Sequence, residues 1–261
     1  MNTRIMDITP DITTGDLSTI AVQTPKEDNE DVYKITDENQ SMKMLSVNKK
    51  KNKFSTYFNL ILKRIVDIIA GIVGSIILIP LTIIIYIVNL ILGDKGPIFY
   101  SQKRIGKNGK YFKMYKFRTM CVNSDEVLKE LLRNDKNARN EWNDNRKLKK
   151  DPRITKMGKF LRKTSLDEWP QFVNVLFGQM SLIGPRAVVD GEIEKFGIYK
   201  KDVLSVKPGI TGYWTANGRS NTTYEERVFM EHKYVREFSI AMDFKIFVKT
   251  VVSVLKKEGA V

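Results

Sequence analysis

The sequence predicts an α+β protein, mainly helical, with a membrane-inserted N-terminal helix and a cytoplasmic domain that carries one small β-hairpin and surface amphipathic helices. Three observations predict it. Residues 68–93 form an uncharged run rich in Ile, Leu and Val. Residues 97–117 place two apolar stretches around Gly106-Lys107-Asn108-Gly109, the pattern of a hairpin. Beyond them, apolar residues recur at helical spacing between loops marked by glycine and proline.

A chain of 261 residues is long enough for one or two domains with a real core. Its net charge of +14 is unevenly spread, because residues 1–40 hold three basic and nine acidic side chains. The basic remainder points to an anionic partner: lipid headgroups, nucleic acid or phosphorylated substrates. Cys121 is the single cysteine, so no intramolecular disulfide can form. His232 is the single histidine, which excludes a His/Cys zinc site and a His-based triad. Acid–base or metal chemistry therefore has to come from carboxylates. Three segments are expected. Residues 1–55 form a disordered acidic and polar tail ending in a Lys cluster, and not a signal peptide. Residues 56–94 form the membrane helix, broken at Pro80, and residues 95–261 the cytoplasmic domain.

The uncharged run would extend about 39 Å as one straight helix at ~1.5 Å per residue. That exceeds a hydrocarbon core of ~30 Å, so the run is long enough to span a membrane. Two features argue for a re-entrant hairpin instead. Pro80 lies at the midpoint, where it removes a backbone hydrogen bond. Basic residues flank both ends: six in residues 49–64 and eight in residues 95–118, with no acid in either stretch. The positive-inside tendency then places both ends on the cytoplasmic side.

In the soluble part, the cations of the hairpin face either lipid phosphate, a nucleotide or solvent. Residues 124–150 form a charged helical stretch with Leu128, Leu131 and Leu132 as its apolar stripe. Next comes Thr164-Ser165-Leu166-Asp167-Glu168-Trp169-Pro170-Gln171-Phe172, where two adjacent carboxylates lie between a basic and an apolar run. Pro170 suits only the first turn of a helix, which puts Asp167 and Glu168 at a helix N-terminus, a place that favours anions. Ser165 with Glu168 also spells a capping box, so a purely structural role stays open on these residues alone. Arg186 ends the Gly/Pro-bracketed loop 178–186 and is a candidate to grip phosphate with its forked guanidinium. A second rigid loop runs from Lys207 to Trp214 and leads to Arg219, where an aromatic beside a guanidinium suits a base or sugar. Residues 238–257 form an apolar and basic helix suited to a membrane surface or to ordinary core packing.

Together these blocks resemble the bacterial sugar transferase family, the monotopic polyprenyl-phosphate phosphoglycosyl transferases. The resemblance covers about residues 58–259 and rests on six pieces in order. They are Lys63-Arg64-x-x-Asp67, Gln102-x-Arg104-x-Gly106, Tyr115-Lys116-Phe117-Arg118-Thr119-Met120, Ser165-Leu166-Asp167-Glu168, the loop from Met180 to Arg186, and Lys207-Pro208-Gly209-Ile210-Thr211-Gly212. The resemblance implies transfer of a sugar 1-phosphate from a UDP-sugar to undecaprenyl phosphate, with release of UMP, as the first step of a surface glycan such as an exopolysaccharide or capsule. It implies Asp167 as nucleophile through a covalent phosphosugar intermediate, with Glu168 and Mg²⁺ assisting and both carboxylates as metal ligands. Lys116, Arg118, Arg162, Arg186 and Arg219 are the expected substrate and phosphate contacts. Localisation at the bacterial cytoplasmic membrane follows, with membrane lipid and no nucleic acid as partner, and the oligomeric state open, a homodimer included. The chain departs from the family pattern at Ile79 before the proline, at Gln179, at Ala187 and at Thr215-Ala216, the last pair lying near probable sugar contacts. Two readings compete. A non-catalytic, membrane-anchored basic module binding acidic lipid or nucleic acid explains the charge but not the carboxylate pair. A metal-dependent phosphohydrolase would release UMP without any lipid acceptor.

Overall fold

A computed structural model describes residues 53–145, 148–218 and 222–256. The expected acidic tail, up to residue 52, and Arg219 lie outside the described residues. The chain from Lys53 onward forms one compact unit.

Helix α1, Lys53–Ile91, runs through Pro80 without interruption. This corrects the break expected there. Proline removes one helical N–H and crowds the preceding turn, but the rest of the helical ladder carries the chain across it. Just beyond, the Thr82 hydroxyl donates to Leu78 O at 2.7 Å. The helix is long and apolar enough to cross a membrane over Tyr57–Ile91. One face is open, with Ile69, Ile76, Ile83 and Ile84 among its exposed side chains. The other docks on the rest of the protein along most of its length.

That docking face is polar at its start and apolar after it. Lys63 Nζ donates to Ile183 O at 2.8 Å and pairs with Asp243 at 2.6 Å. Arg64 donates to the Val175 and Leu176 carbonyls, both at 3.0 Å. The buried Asp67 carboxylate accepts from Ser181 Oγ at 2.9 Å and from the Leu182 N–H at 2.8 Å. Further along, Gly71 and Gly74 let a short helix come close: a Cβ on Gly74 would sit 2.2 Å from the Phe172 ring. Trp169 Nε1 donates to Gly74 O at 2.9 Å. Leu78 and Ile85 are then buried with Phe117, Met157 and Leu161, and Leu81 and Val88 pack on the same cluster.

The hairpin is as expected. Strands β1, Phe99–Ile105, and β2, Tyr111–Phe117, pair antiparallel with Phe99 opposite Phe117 and Ile105 opposite Tyr111. Asn108 and Gly109 take positive φ (57° and 75°) in the turn, a conformation that Asn and Gly tolerate best. The charged stretch divides into two helices, α2, Ser124–Asn134, and α3, Lys136–Asn145, separated by Asp135, which turns back to accept from the Asn137 and Ala138 N–H groups. Helix α4, Lys156–Thr164, starts at Thr155, whose hydroxyl accepts from the Gly158 N–H. Helix α5, Gln171–Leu176, follows the carboxylate pair. Strands β3, Ser181–Ile183, and β4, Gly209–Thr211, pair in parallel, Ser181 opposite Gly209. Between them lie an irregular turn and α6, Lys200–Leu204. Three helices complete the described chain: α7, Tyr213–Asn217, α8, Tyr224–Glu237, and α9, Ile240–Lys256.

Asp67 is the one carboxylate that α1 sends into the β3 backbone. Asp67→Ala would strand the Ser181 hydroxyl and the Leu182 N–H, at about 1–3 kcal/mol for each buried group left unpaired. Chemical unfolding in detergent should therefore show a loss of at least ~2 kcal/mol, and a loss below ~0.5 kcal/mol would mean that β3 holds its place without the helix.

Candidate functional site

The carboxylate pair lies in a tight turn, Leu166–Glu168, between α4 and α5. Ser165 ends α4 in the left-handed region, φ 56°, where its N–H donates back to Arg162 O at 3.2 Å. Its side chain makes no capping bond to the next turn, so the capping box expected of Ser165 and Glu168 is not formed. Pro170 immediately precedes α5 rather than lying in its first turn. The carboxylates thus sit one turn before the α5 N-terminus and are presented by a corner between two helices.

Strand β2 supplies their cation. Phe112 and Met114 face inward and are buried, and Lys116, in phase with them, faces the same way. Its ammonium donates to Glu168 Oε1 at 2.7 Å and lies 3.8 Å from Asp167 Oδ2. The side chain of Asp167 is 15% exposed and that of Glu168 34% exposed. Burial raises the Asp167 pKa above the usual carboxylate range; the Glu168 charge adds to this, and Lys116 and Arg162 oppose it. Arg162 itself is held by the Thr119 hydroxyl, to which its Nε donates at 3.0 Å.

Glu168 lines a solvent-open cleft together with Lys116, Gln171, Arg104, Arg186 and Thr215, among others, and Asp167 stands beside it. The structure therefore brings together Asp167, Glu168, Lys116, Arg162 and Arg186 of the residues picked out from the sequence. Arg118 it places elsewhere. Its guanidinium is 8% exposed, pairs with Asp94 at 2.7 Å and donates to the Met120 and Pro97 carbonyls, so it ties the end of α1 to the hairpin instead of facing the cleft. Arg219 lies outside the described residues.

Sequence reasoning missed a second group behind Arg186. Arg104, in the Gln-x-Arg-x-Gly block, lines the cleft and donates to Ala187 O at 3.0 Å and Gln102 Oε1 at 2.7 Å. Burial and the nearby Arg186 charge lower its pKa. Glu231 of α8 is 1% exposed and accepts from the Arg186 backbone N–H at 2.9 Å. Arg227 of the same helix is buried, pairs with Glu192 at 2.7 Å and lies 4.7 Å from the Trp214 ring centre, while Arg186 approaches the same ring at 5.8 Å. Only the i, i+4 spacing of Arg227 and Glu231 hinted at a shared helix face.

Among the described residues, no group of three or more His, Cys, Asp and Glu side chains could enclose a metal ion. Two adjacent carboxylates beside a cleft nonetheless suit Mg²⁺, which takes one or two carboxylates and completes its shell with water and substrate phosphates. Asp167 and Glu168 are the residues that fit.

The comparisons agree with this geometry. Residues 58–257 match the model of the bacterial sugar transferase family, and the chain belongs to that family. It is 48% identical over 199 residues to the undecaprenyl-phosphate galactose phosphotransferase of Salmonella typhimurium, covering 76% of this chain and 41% of that protein. An uncharacterized sugar transferase of Haemophilus influenzae is 47% identical over 209 residues, 80% of this chain and 44% of its own length. The exopolysaccharide production protein ExoY of Sinorhizobium fredii is 41% identical over 199 residues, 76% of this chain and 87% of its own length. The chain thus spans less than half the length of the first two relatives.

Glu231 offers a test of the arrangement behind Arg186. Burial pushes its pKa up to about 7. A carboxyl whose folded-state pKa is raised favours folding when protonated, so its contribution is full at low pH and is lost as pH rises through about 7. Glu231→Gln should remove that part of the pH dependence. Urea unfolding from pH 5 to 8 should show matching stability at the acid end and a variant more stable by roughly 2–3 kcal/mol at the alkaline end. Parallel stability curves would show that Glu231 does not titrate in this range.

Proposed function

We propose that this chain transfers a sugar 1-phosphate from a UDP-sugar to undecaprenyl phosphate, releasing UMP. The observation that carries the reading is the dyad itself: a half-buried Asp167 beside Glu168, both within reach of the Lys116 ammonium, next to a cleft that also holds Arg104 and Arg186. A half-buried carboxylate at a cationic cleft is equipped to attack phosphorus once the phosphate charge is neutralised. The names of the relatives supply the lipid acceptor and the sugar-phosphate chemistry.

Asp167 Oδ attacks the β-phosphorus of the donor. The new O–P bond forms as the bond to the bridging oxygen breaks, and UMP leaves with that oxygen. A phosphate oxygen of undecaprenyl phosphate then attacks the same phosphorus, releasing Asp167 and giving a lipid diphosphate sugar. Two steps let one site serve a soluble donor and a lipid acceptor in turn. Lys116 and Arg186 hold the charge of the phosphates, and Arg104 extends the same wall. Bound Mg²⁺, held by Asp167 and Glu168, would supply further charge neutralisation at the transferred phosphate. The reaction is the initiating step of a surface glycan. The competing basic module has no use for a half-buried carboxylate at a cleft, where an anion repels its acidic ligands.

Both ends of α1 lie on the cytoplasmic side of the membrane in this reading. Lys63 and Val88 contact the same compact unit. They are separated by about 38 Å of helix at ~1.5 Å per residue. A straight helix crossing a ~30 Å core would put part of that unit in hydrocarbon or beyond it. A shallow, re-entrant course that enters and leaves by the same face satisfies both contacts and the basic flanks. The exposed Phe244, Phe247, Val248, Val251 and Val252 of α9, with Lys245 and Lys249 alongside, suit a helix lying on the same membrane surface.

Asp167→Asn keeps the shape of the side chain and removes the nucleophile. UMP release from UDP-galactose or UDP-glucose with undecaprenyl phosphate should fall by about three orders of magnitude or more. A donor labelled in both the sugar and the β-phosphate, supplied without lipid, should leave both labels on parent protein at Asp167 and none on the variant. Near-normal turnover of the variant would refute the covalent route. For topology, single cysteines at positions 52 and 107 in a Cys121→Ser background should both resist an impermeant thiol reagent in intact cells. Labelling of one alone would restore a spanning helix.

A further inference from the structure

Gln171 opens α5, three residues after Glu168. Its side chain is 3% exposed, lines the cleft with Lys116 and Glu168, and makes no hydrogen bond to any described residue. The contrast with Asn174, one turn on, is direct. The Asn174 amide donates to Lys113 O at 2.8 Å and to Gln179 Oε1 at 2.7 Å, and its oxygen accepts from the Tyr115 N–H at 3.1 Å. One buried amide of α5 is fully used by the fold, and the other is left facing the cleft.

Among the described residues the fold gives this primary amide no partner, so its hydrogen bonds are met by whatever fills the cleft. Its bonds are therefore available to something that enters the cleft. Charge neutralisation is already provided by Lys116, Arg104 and Arg186 on the same walls. What Gln171 adds is different: two N–H donors and one acceptor in a single rigid plane. A phosphate oxygen only accepts, whereas a sugar hydroxyl also donates. A group that satisfies both ends of the amide presents a phosphate oxygen and a hydroxyl side by side, which is the chemistry of a sugar 1-phosphate. Beside Glu168, the amide also stands where the attacked phosphorus must come.

We infer that Gln171 hydrogen-bonds the transferred sugar phosphate and helps to set which sugar is accepted. The inference rests on the reading of the cleft as a phosphoglycosyl transfer site. It distinguishes the part of the donor that moves to lipid from the part that leaves as UMP, because a sugar 1-phosphate has a hydroxyl on the carbon next to its phosphate-bearing carbon, whereas the nearest ribose hydroxyl of UMP is two carbons away.

Two variants test it. Gln171→Met keeps length and volume and removes every hydrogen bond. Gln171→Glu keeps an acceptor and removes the donors. Three quantities are measured on the full chain in detergent: the thermal midpoint, inhibition by UMP, and kcat/KM with UDP-glucose and UDP-galactose. For Gln171→Met the midpoint should equal or exceed that of the parent. UMP inhibition should stay within about twofold, while kcat/KM for the preferred donor falls about ten- to a hundredfold. The preference between the two C4-epimeric donors should narrow in both variants. A parallel loss of UMP affinity would place Gln171 on the nucleotide and overturn the inference. A lowered midpoint with unchanged kcat/KM would make it a packing residue and overturn it equally. If the parent releases no UMP from either donor while remaining folded, the transfer reading itself fails, and this inference falls with it.

Discussion

Two carboxylates from neighbouring residues share one ammonium, and much of the structure follows from that contact. Asp167 is half-buried, and Glu168 adds a second negative charge beside it, so the pair is tenable as anions only with a cation in reach. Lys116 is that cation, and it arrives from a strand rather than from the helices on either side. The hairpin must therefore lie against the corner between α4 and α5. Phe112 and Met114 bring it there, because they bury the same face of β2 that carries Lys116. Moving the strand by one residue would turn Lys116 outward and leave Arg162 as the remaining cation near two like charges.

The same corner is fixed to the membrane helix. Gly71 and Gly74 remove the side chains that would hold α5 away from α1, and Trp169 donates across the contact. Arg64 donates to two of the last carbonyls of α5, Leu176 O and Val175 O, the latter also accepting from the Gly178 N–H. Lys63 and Asp67 reach further, to β3, the strand that leads into Arg186. The Lys63-Arg64-x-x-Asp67 block thus ties α1 to two parts of the chain beside the cleft, Lys63 and Asp67 to β3 and Arg64 to the end of α5.

Much of this was legible in the sequence, and the rest was hidden for definite reasons. The hairpin was legible because Asn108-Gly109 supports only a few backbone conformations. The carboxylate pair was legible because a chain with one histidine has few other ways to do the chemistry. The capping box was not. Ser165-x-x-Glu168 and Thr223-x-x-Glu226 carry the same signature, yet only the second forms, with both reciprocal bonds present at the start of α8. Ser165 is already engaged in closing α4, and one residue in the left-handed region cannot also open the next helix as an extended N-cap. Arg118 and Arg186 look alike on the page as phosphate contacts. Asp94 separates them, since an acid placed at the end of α1 claims one guanidinium and none claims the other in the same way. Likewise Pro80 marks a weak point in a helix, but a proline alone does not say whether the neighbours hold the helix together, and in α1 they do.

The wall behind Arg186 shows why a cleft of this kind is built with polar groups that the fold itself does not satisfy. Arg104 Nε, Arg227 Nε and Nη2, and Glu231 Oε2 are all buried without a hydrogen-bond partner among the described residues. They cluster around one residue, Arg186, whose own backbone is held by Glu231 and whose neighbour Gly209 bridges to it across β4. Stacking of Arg227 on Trp214 keeps one guanidinium in place without consuming its donors. A fold optimised for stability alone would replace such groups with hydrocarbon. In the proposed reading, Arg104 and Arg227 hold positive charge in position before an anion arrives, so that little reorganisation is left for the moment of binding. The unfavourable burial and the anion-binding cleft are, in that reading, two aspects of one arrangement.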